Sequence, residues 1–272
     1  IYPVEVNDVL HNPHMGWVYM TEPLHYLEEE LPRYQPGQEY DVVGLVIGWN
    51  EIEIAEDIYD WSVLDSAIEE LQKRDKTVYL RLLLISDNTP IWSIDGIPDW
   101  LWNNYNIPFQ ISDDDPNEHP PPTKHPYYWN SDLQWHAQDF LYEFTNHYDA
   151  SQIDYVDLRI YGTTGEWDQG TNAFDWSEFP DVNKTQVLTD LINIYHNAFI
   201  DSDIKLAINF PSWGTNVAEY PSYLESAALD HAMDYGWGMR YDAFNPWGIS
   251  KYVEDSINAY ADSRFVTVEP GK

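Results

Sequence analysis

The run Val42–Leu84, VVGLVIGWNEIEIAEDIYDWSVLDSAIEELQKRDKTVYLRLLL, decides the fold. Its first part, Val42–Gly48, is apolar or glycine throughout, as a strand covered on both faces must be. Val63, Leu64, Ala67, Ile68 and Leu71 then recur at helical spacing and predict a helix over Ser62–Arg74. Thr77–Leu84 is a second nearly continuous apolar run. Strand, helix and strand in this order make a parallel crossover unit.

The same alternation extends in both directions. Met15–Met20 reads as an earlier strand, and Tyr155–Gly162, Lys205–Phe210, Gly238–Phe244 and Arg264–Glu269 as later ones. Helices are predicted over Asp132–Tyr148, Asn183–Phe199, Pro221–Tyr235 and Ile249–Ala261. The stretch Ile85–Ser131 reads as a long irregular connection. A single α/β domain spanning residues 1–272 follows, a TIM (β/α)₈ barrel that lacks its eighth β/α unit or is truncated there. The rival is a doubly wound open sheet. No glycine-rich phosphate loop follows the first strand, which weakens its nucleotide-binding form. Strand ends rich in Trp, Asn, Glu and Arg suit a barrel, whose chemistry is built from the loops after each strand.

With 47 acidic residues against 13 basic ones, the chain carries a formal charge of -34. That charge repels phosphate backbones and anionic lipid heads, so neither nucleic acid nor membrane is an expected partner. A salty setting would screen the self-repulsion. Cysteine is absent, which rules out a thiol nucleophile, a thiolate metal site and a disulfide. No apolar run reaches the roughly 20 residues that span a bilayer. The chain opens on Ile1 rather than Met, and an extracellular or cell-surface location is expected. No cofactor is implied, and the oligomeric state is left open.

Gly165-Glu166-Trp167 stands just past the fourth strand, at the mouth of a barrel. A neighbouring Trp that excludes water would raise the carboxyl pKa and keep Glu166 protonated as a general acid. Most glutamates are plain surface residues, and the position between Gly and Trp at a strand end is what argues otherwise here. Glu269 ends the seventh strand and points to the same mouth. Carboxylates on strands four and seven can flank a glycosidic bond, about 5–5.5 Å apart for retention and about 6.5–9.5 Å for inversion.

Thirteen Trp and 21 Tyr add aromatic faces on which sugar rings stack. Trp17, Trp49, Trp167, Trp213 and Trp247 fall at or just past predicted strand ends, although any single Trp is more often core. Asn50, Glu51, Asp168 and Asn209 are further strand-end polar groups. Arg81, Arg159, Arg240 and Asp242 lie inside apolar runs and need partners, either as a structural ion-pair network or as groups that orient the carboxylates and bind sugar hydroxyls. Of these, Trp17, Trp49, Asn50, Arg81, Trp167, Asp168, Asn209, Trp213, Arg240 and Asp242 are the expected substrate-binding set. Asp113, Asp114, Asp115 and Glu118 lack EF-hand spacing and read as a solvated loop, so no metal site is expected.

Trp49-Asn50-Glu51-Ile52-Glu53, with Tyr59-Asp60-Trp61-Ser62 and Leu64-Asp65, resembles the early region of clan A glycoside hydrolases such as the family 42 β-galactosidases. A closer resemblance is to barrel proteins grouped as domain of unknown function 4832. It rests on Asn12–Trp17, Leu80-Arg81-Leu82, Pro98–Leu101, Gly162–Trp167, Gly236–Asp242 and Val266–Glu269. Clan A resemblance implies a retaining mechanism, with the acid/base after strand four and the nucleophile on strand seven, the positions of Glu166 and Glu269. Gly165 stands where those enzymes usually carry an Asn that contacts the substrate 2-hydroxyl.

The expected function is therefore a retaining glycoside hydrolase acting on a polysaccharide or oligosaccharide. Two other readings fit the same residues. One is a non-catalytic glycan-binding barrel. The other is a structural or assembly protein of a cell surface or filament, in which open strand edges are completed by another segment.

Overall fold

The computed structural model describes residues 17–33, 40–85, 96–111, 124–159, 174–210, 230–242 and 266–269. Its frame is seven strands, all parallel and joined in chain order. They are β1 (Trp17–Thr21), β2 (Tyr40–Gly48), β3 (Thr77–Leu83), β4 (Tyr155–Arg159), β5 (Lys205–Phe210), β6 (Gly238–Asp242) and β7 (Val266–Glu269). Four longer helices are described between them: α1 (Ser62–Gln72), α2 (Asp99–Tyr105), α3 (Ser131–His147) and α4 (Lys184–Phe199). Residues 230–234 are also helical.

Side-chain parity sorts the strands into two cores. Val43, Leu45 and Ile47 of β2, Val78, Leu80 and Leu82 of β3, and Val156 and Leu158 of β4 face outward. They pack under Leu64, Ala67, Ile68 and Leu71 of α1, Leu133, Ala137, Phe140 and Phe144 of α3, and Leu188, Leu191 and Ile192 of α4. Each apolar side chain so buried contributes roughly 1.5–3 kcal/mol. The alternate residues Val42, Tyr79, Tyr155 and Ala207 form a smaller inner layer, with Val46 and Leu83 beside it.

Local chemistry sets the helix starts. Asp60 accepts from the Ser62 N–H at 3.0 Å ahead of α1. Asn130 caps α3 through the Leu133 N–H at 2.9 Å, and Asn183 caps α4 through the Gln186 N–H at 3.2 Å. A cap of this kind satisfies one of the donors that the first helical turn leaves open.

Inside the barrel the Tyr79 and Tyr155 rings lie face to face, 4.7 Å apart and 2° from parallel. Gly44 makes room for them, because a methyl group there would overlap the Tyr79 ring. Gly44→Ala is expected to destabilise the fold by about 1–3 kcal/mol, read as a lowered denaturation midpoint. Adding Tyr79→Leu should recover part of that loss. A single variant as stable as the parent would contradict this packing.

The connection after β3 differs from expectation. The stretch read as irregular contains α2 and a two-stranded antiparallel ribbon, Phe109–Ile111 with Lys124–Pro126. Extended Pro98 starts α2, and Asn106, left-handed at φ 49°, stops it. A short helix, Trp49–Ile52, and an antiparallel hairpin, Glu53–Ala55 with Ile58–Tyr59, likewise follow β2. No helix among the described residues is long and apolar enough to cross a membrane.

Candidate active site

In a parallel barrel the carboxyl ends of the strands share one face. β7 ends there, and its register sets Glu269 opposite Asp242 and Thr267 opposite Arg240. Arg240 in turn pairs with Asn209 of β5. Four residues singled out by sequence, Asn209, Arg240, Asp242 and Glu269, thus occupy neighbouring register positions on three adjacent strands. Glu166, Trp167, Asp168, Trp213 and Trp247 lie outside the described residues.

Two expected aromatic contacts are corrected. Trp17 opens β1 and pairs with Tyr40, so it stands at the amino end of its strand, away from the carboxyl ends where the cleft was expected. Trp49 is fully buried, packed on Phe140 at 5.5 Å and edge-on to Trp100 at 6.4 Å. The parity of β2 explains this: Trp49 continues the outward series Val43, Leu45, Ile47. It therefore lies under the helices, where no sugar reaches it.

Asn50 is half-buried at the end of β2. Its N–H donates to the Gly96 carbonyl at 3.0 Å, while its Oδ1 is enclosed and has no hydrogen-bond partner among the described residues. An acceptor in that state is costly unless a donor arrives. Next to it, Glu51 accepts from the Gly48 N–H at 2.8 Å. Although the residue keeps an exposed surface, desolvation of its carboxyl raises the pKa; the Gly48 hydrogen bond opposes this, and the like charge of Glu22 past the end of β1 adds to it.

Arg81 makes one of the two arrangements expected of it. It sits inside the barrel at 7% exposure, with Nε 3.0 Å from Oδ2 of the fully buried Asp157. Both partners are buried inside the barrel, on the inward-facing positions of β3 and β4. This is the structural ion pair that charged residues inside apolar strands require.

The structure adds residues that the sequence did not single out. Glu53 is 3% exposed and accepts from Trp49 Nε1 at 2.6 Å and from the Asp57 N–H at 3.0 Å. Desolvation pushes its carboxyl up to about 7, helped by the charges of Asp57 and Asp139 and opposed by those two hydrogen bonds. Gln110 bridges the connections after β3 and β4: its Oε1 accepts from the Asp175 N–H at 2.6 Å, and its Nε2 donates to Glu178 at 2.7 Å. Tyr127, Trp129, Trp176 and Phe179 pack around buried Phe174 at the same junction. The connection that carries Glu166 leaves from β4 and returns at this anchored Phe174. Among the described residues no group of His, Asp and Glu is placed to hold a metal ion.

Residues 37–128 match the family model Glyco_hydro_42, described as beta-galactosidase. No curated protein matches the chain. Among solved structures it is similar to xylanase B from Clostridium stercorarium F9, at 13% identity and a TM-score of 0.51, over 91% of this chain and 68% of that one. Xylanase 10B from Thermotoga petrophila RKU-1, solved with xylobiose, aligns at 9% identity and a TM-score of 0.54, over 92% of this chain and 68% of that one. A psychrophilic glycoside hydrolase family 10 endo-beta-1,4-xylanase aligns at 11% identity and a TM-score of 0.52, over 92% and 70%. The fold is that of an α/β TIM barrel, and its β2–α2 region carries the glycoside hydrolase match.

Proposed function

We propose that the chain is a retaining glycoside hydrolase acting on a polysaccharide or oligosaccharide. The observation that carries this is the register of β7, which sets Glu269 beside Asp242 at the carboxyl end of a TIM barrel. The family match over residues 37–128 supports the same reading. So do the xylanases that share the barrel, and the resemblance to domain of unknown function 4832 fits it.

Glu269 attacks the anomeric carbon. Glu166 protonates the leaving oxygen, then removes a proton from the water that releases the glycosyl group. Asn50, Asn209, Arg240 and Asp242 are assigned to sugar hydroxyls, with Trp167, Asp168 and Trp213 completing the cleft. Arg81 acts from inside the barrel through Asp157. A neutral substrate and a location outside the cell or on its surface suit a chain of charge -34.

The test is hydrolysis of a panel of β-galactosides, xylans and related neutral glycans, with the first-formed anomer read by proton NMR. Release with retained configuration is expected. Inverted product would overturn the nucleophile role of Glu269. Binding without release across the panel would favour a glycan-binding barrel, a reading that Gly165 in the place of the usual Asn also favours.

A further inference from the structure

Glu53 is a buried ionisable group for which the proposed chemistry has no use, and its surroundings give it another role. It begins the hairpin that follows the short helix Trp49–Ile52 at the carboxyl end of β2, two residues after Glu51. One carboxyl oxygen accepts from Trp49 Nε1, and the other from the N–H of Asp57. Asp57 forms the hairpin turn in a left-handed conformation, φ 58°, which costs a non-glycine residue and persists only when its surroundings hold it. The Glu53 carbonyl also accepts from Trp100 Nε1 of α2 at 3.2 Å. One residue therefore ties the short helix after β2, the hairpin turn and α2 together.

We propose that Glu53 is a pH-sensitive latch, which holds the hairpin against α2 and α3 when it is protonated and loosens it when it ionises. The groups facing it are Asp57 on the hairpin, Asp139 on α3, and Tyr59, whose phenol is itself held un-ionised by burial and by the charges of Glu53, Asp139, Asp57 and Glu143. Each of these carboxylates repels a second negative charge at Glu53. Across the same junction His136 packs against Trp100 at 5.1 Å and Tyr105 at 4.4 Å, with Glu56, Asp139, Asp132 and Asp57 around it. Burial lowers the His136 pKa, so its contribution has the opposite sign and is lost as pH falls.

The direction follows from linkage. The Glu53 pKa is raised from 4.5 to about 7 by folding. Its stabilisation is complete below 4.5, declines as pH rises, and is lost above about 7. Glu51, also raised, acts in the same sense. The edge of the mouth formed by β2 is accordingly firmer in mildly acidic solution.

The experiment is hydrogen exchange at the Asp57 amide, corrected for the intrinsic pH dependence of exchange, in the whole chain between about pH 5 and about pH 8. Protection in the parent should fall by about thirty-fold, allowing for solvent screening of part of the shift. Glu53→Gln should remove that dependence, whatever its effect on protection at any one pH. Trp49→Phe removes a donor that favours the ionised form, so the fall should move to higher pH. Constant protection in the parent, or an unchanged fall in Glu53→Gln, overturns the latch. Neither result depends on whether the chain hydrolyses glycans.

Discussion

Replacing Glu269 with Gln is expected to lower turnover by at least about 10³-fold, within the range that positioned acid–base and nucleophilic groups supply. The amide keeps the size of the carboxylate and its place opposite Asp242, so the denaturation midpoint should hold. Glu269→Ala should regain turnover with added azide, which enters from the vacated face and gives an inverted glycosyl azide. Glu166→Gln should be nearly as damaging on natural linkages. It should be mild on substrates whose leaving group departs without a proton, since only the protonation step is lost. Full activity in both variants would remove the two-carboxylate mechanism.

The largest expected stability effect lies inside the barrel. Asp157→Ala leaves the Arg81 guanidinium inside the barrel without its carboxylate and should cost about 3–5 kcal/mol. Replacing both residues, Arg81→Met with Asp157→Leu, should cost much less, because the desolvation penalty disappears along with the attraction. Urea denaturation of the two variants separates these cases. Equal losses would mean that the pair contributes through packing rather than charge. Residual hydrolysis by the double variant would further show whether Arg81 is needed to align the strand ends.

The barrel was legible because its strands are buried on both faces and read as unbroken apolar runs. The expected strands Val42–Gly48, Thr77–Leu84 and Lys205–Phe210 fall within two residues of the observed ends. That same continuity hides parity. Nothing in VVGLVIGW marks which residues turn inward, so Trp49 was expected on the rim and is found under the helices. Only the packed structure shows that Gly44 lies on the inner face, against the Tyr79 ring, which puts Trp49 outside. The helix α2 escaped because Asp99–Tyr105 is short and aromatic rather than amphipathic, although Pro98 before it and Asn106 after it are ordinary start and stop signals. Glu53 entered the sequence reading only as one residue of the Trp49–Glu53 resemblance, and only the packed hairpin shows that it is enclosed. The neighbouring strands of Asp242 and Glu269 were readable from strand order, but their pairing was not, because the sixth strand was read on to Phe244 and ends at Asp242.

The Gln110 amide that joins two connections has a bearing on protein engineering. By holding the Asp175 N–H and Glu178 at once, it turns the ribbon after β3 and the return to α4 into one frame. A graft that removes the ribbon would release both sides together. Libraries aimed at new glycan specificity are better built with Gln110, Phe174 and the aromatic residues around them left constant, and with Glu166 and Glu269 held as well.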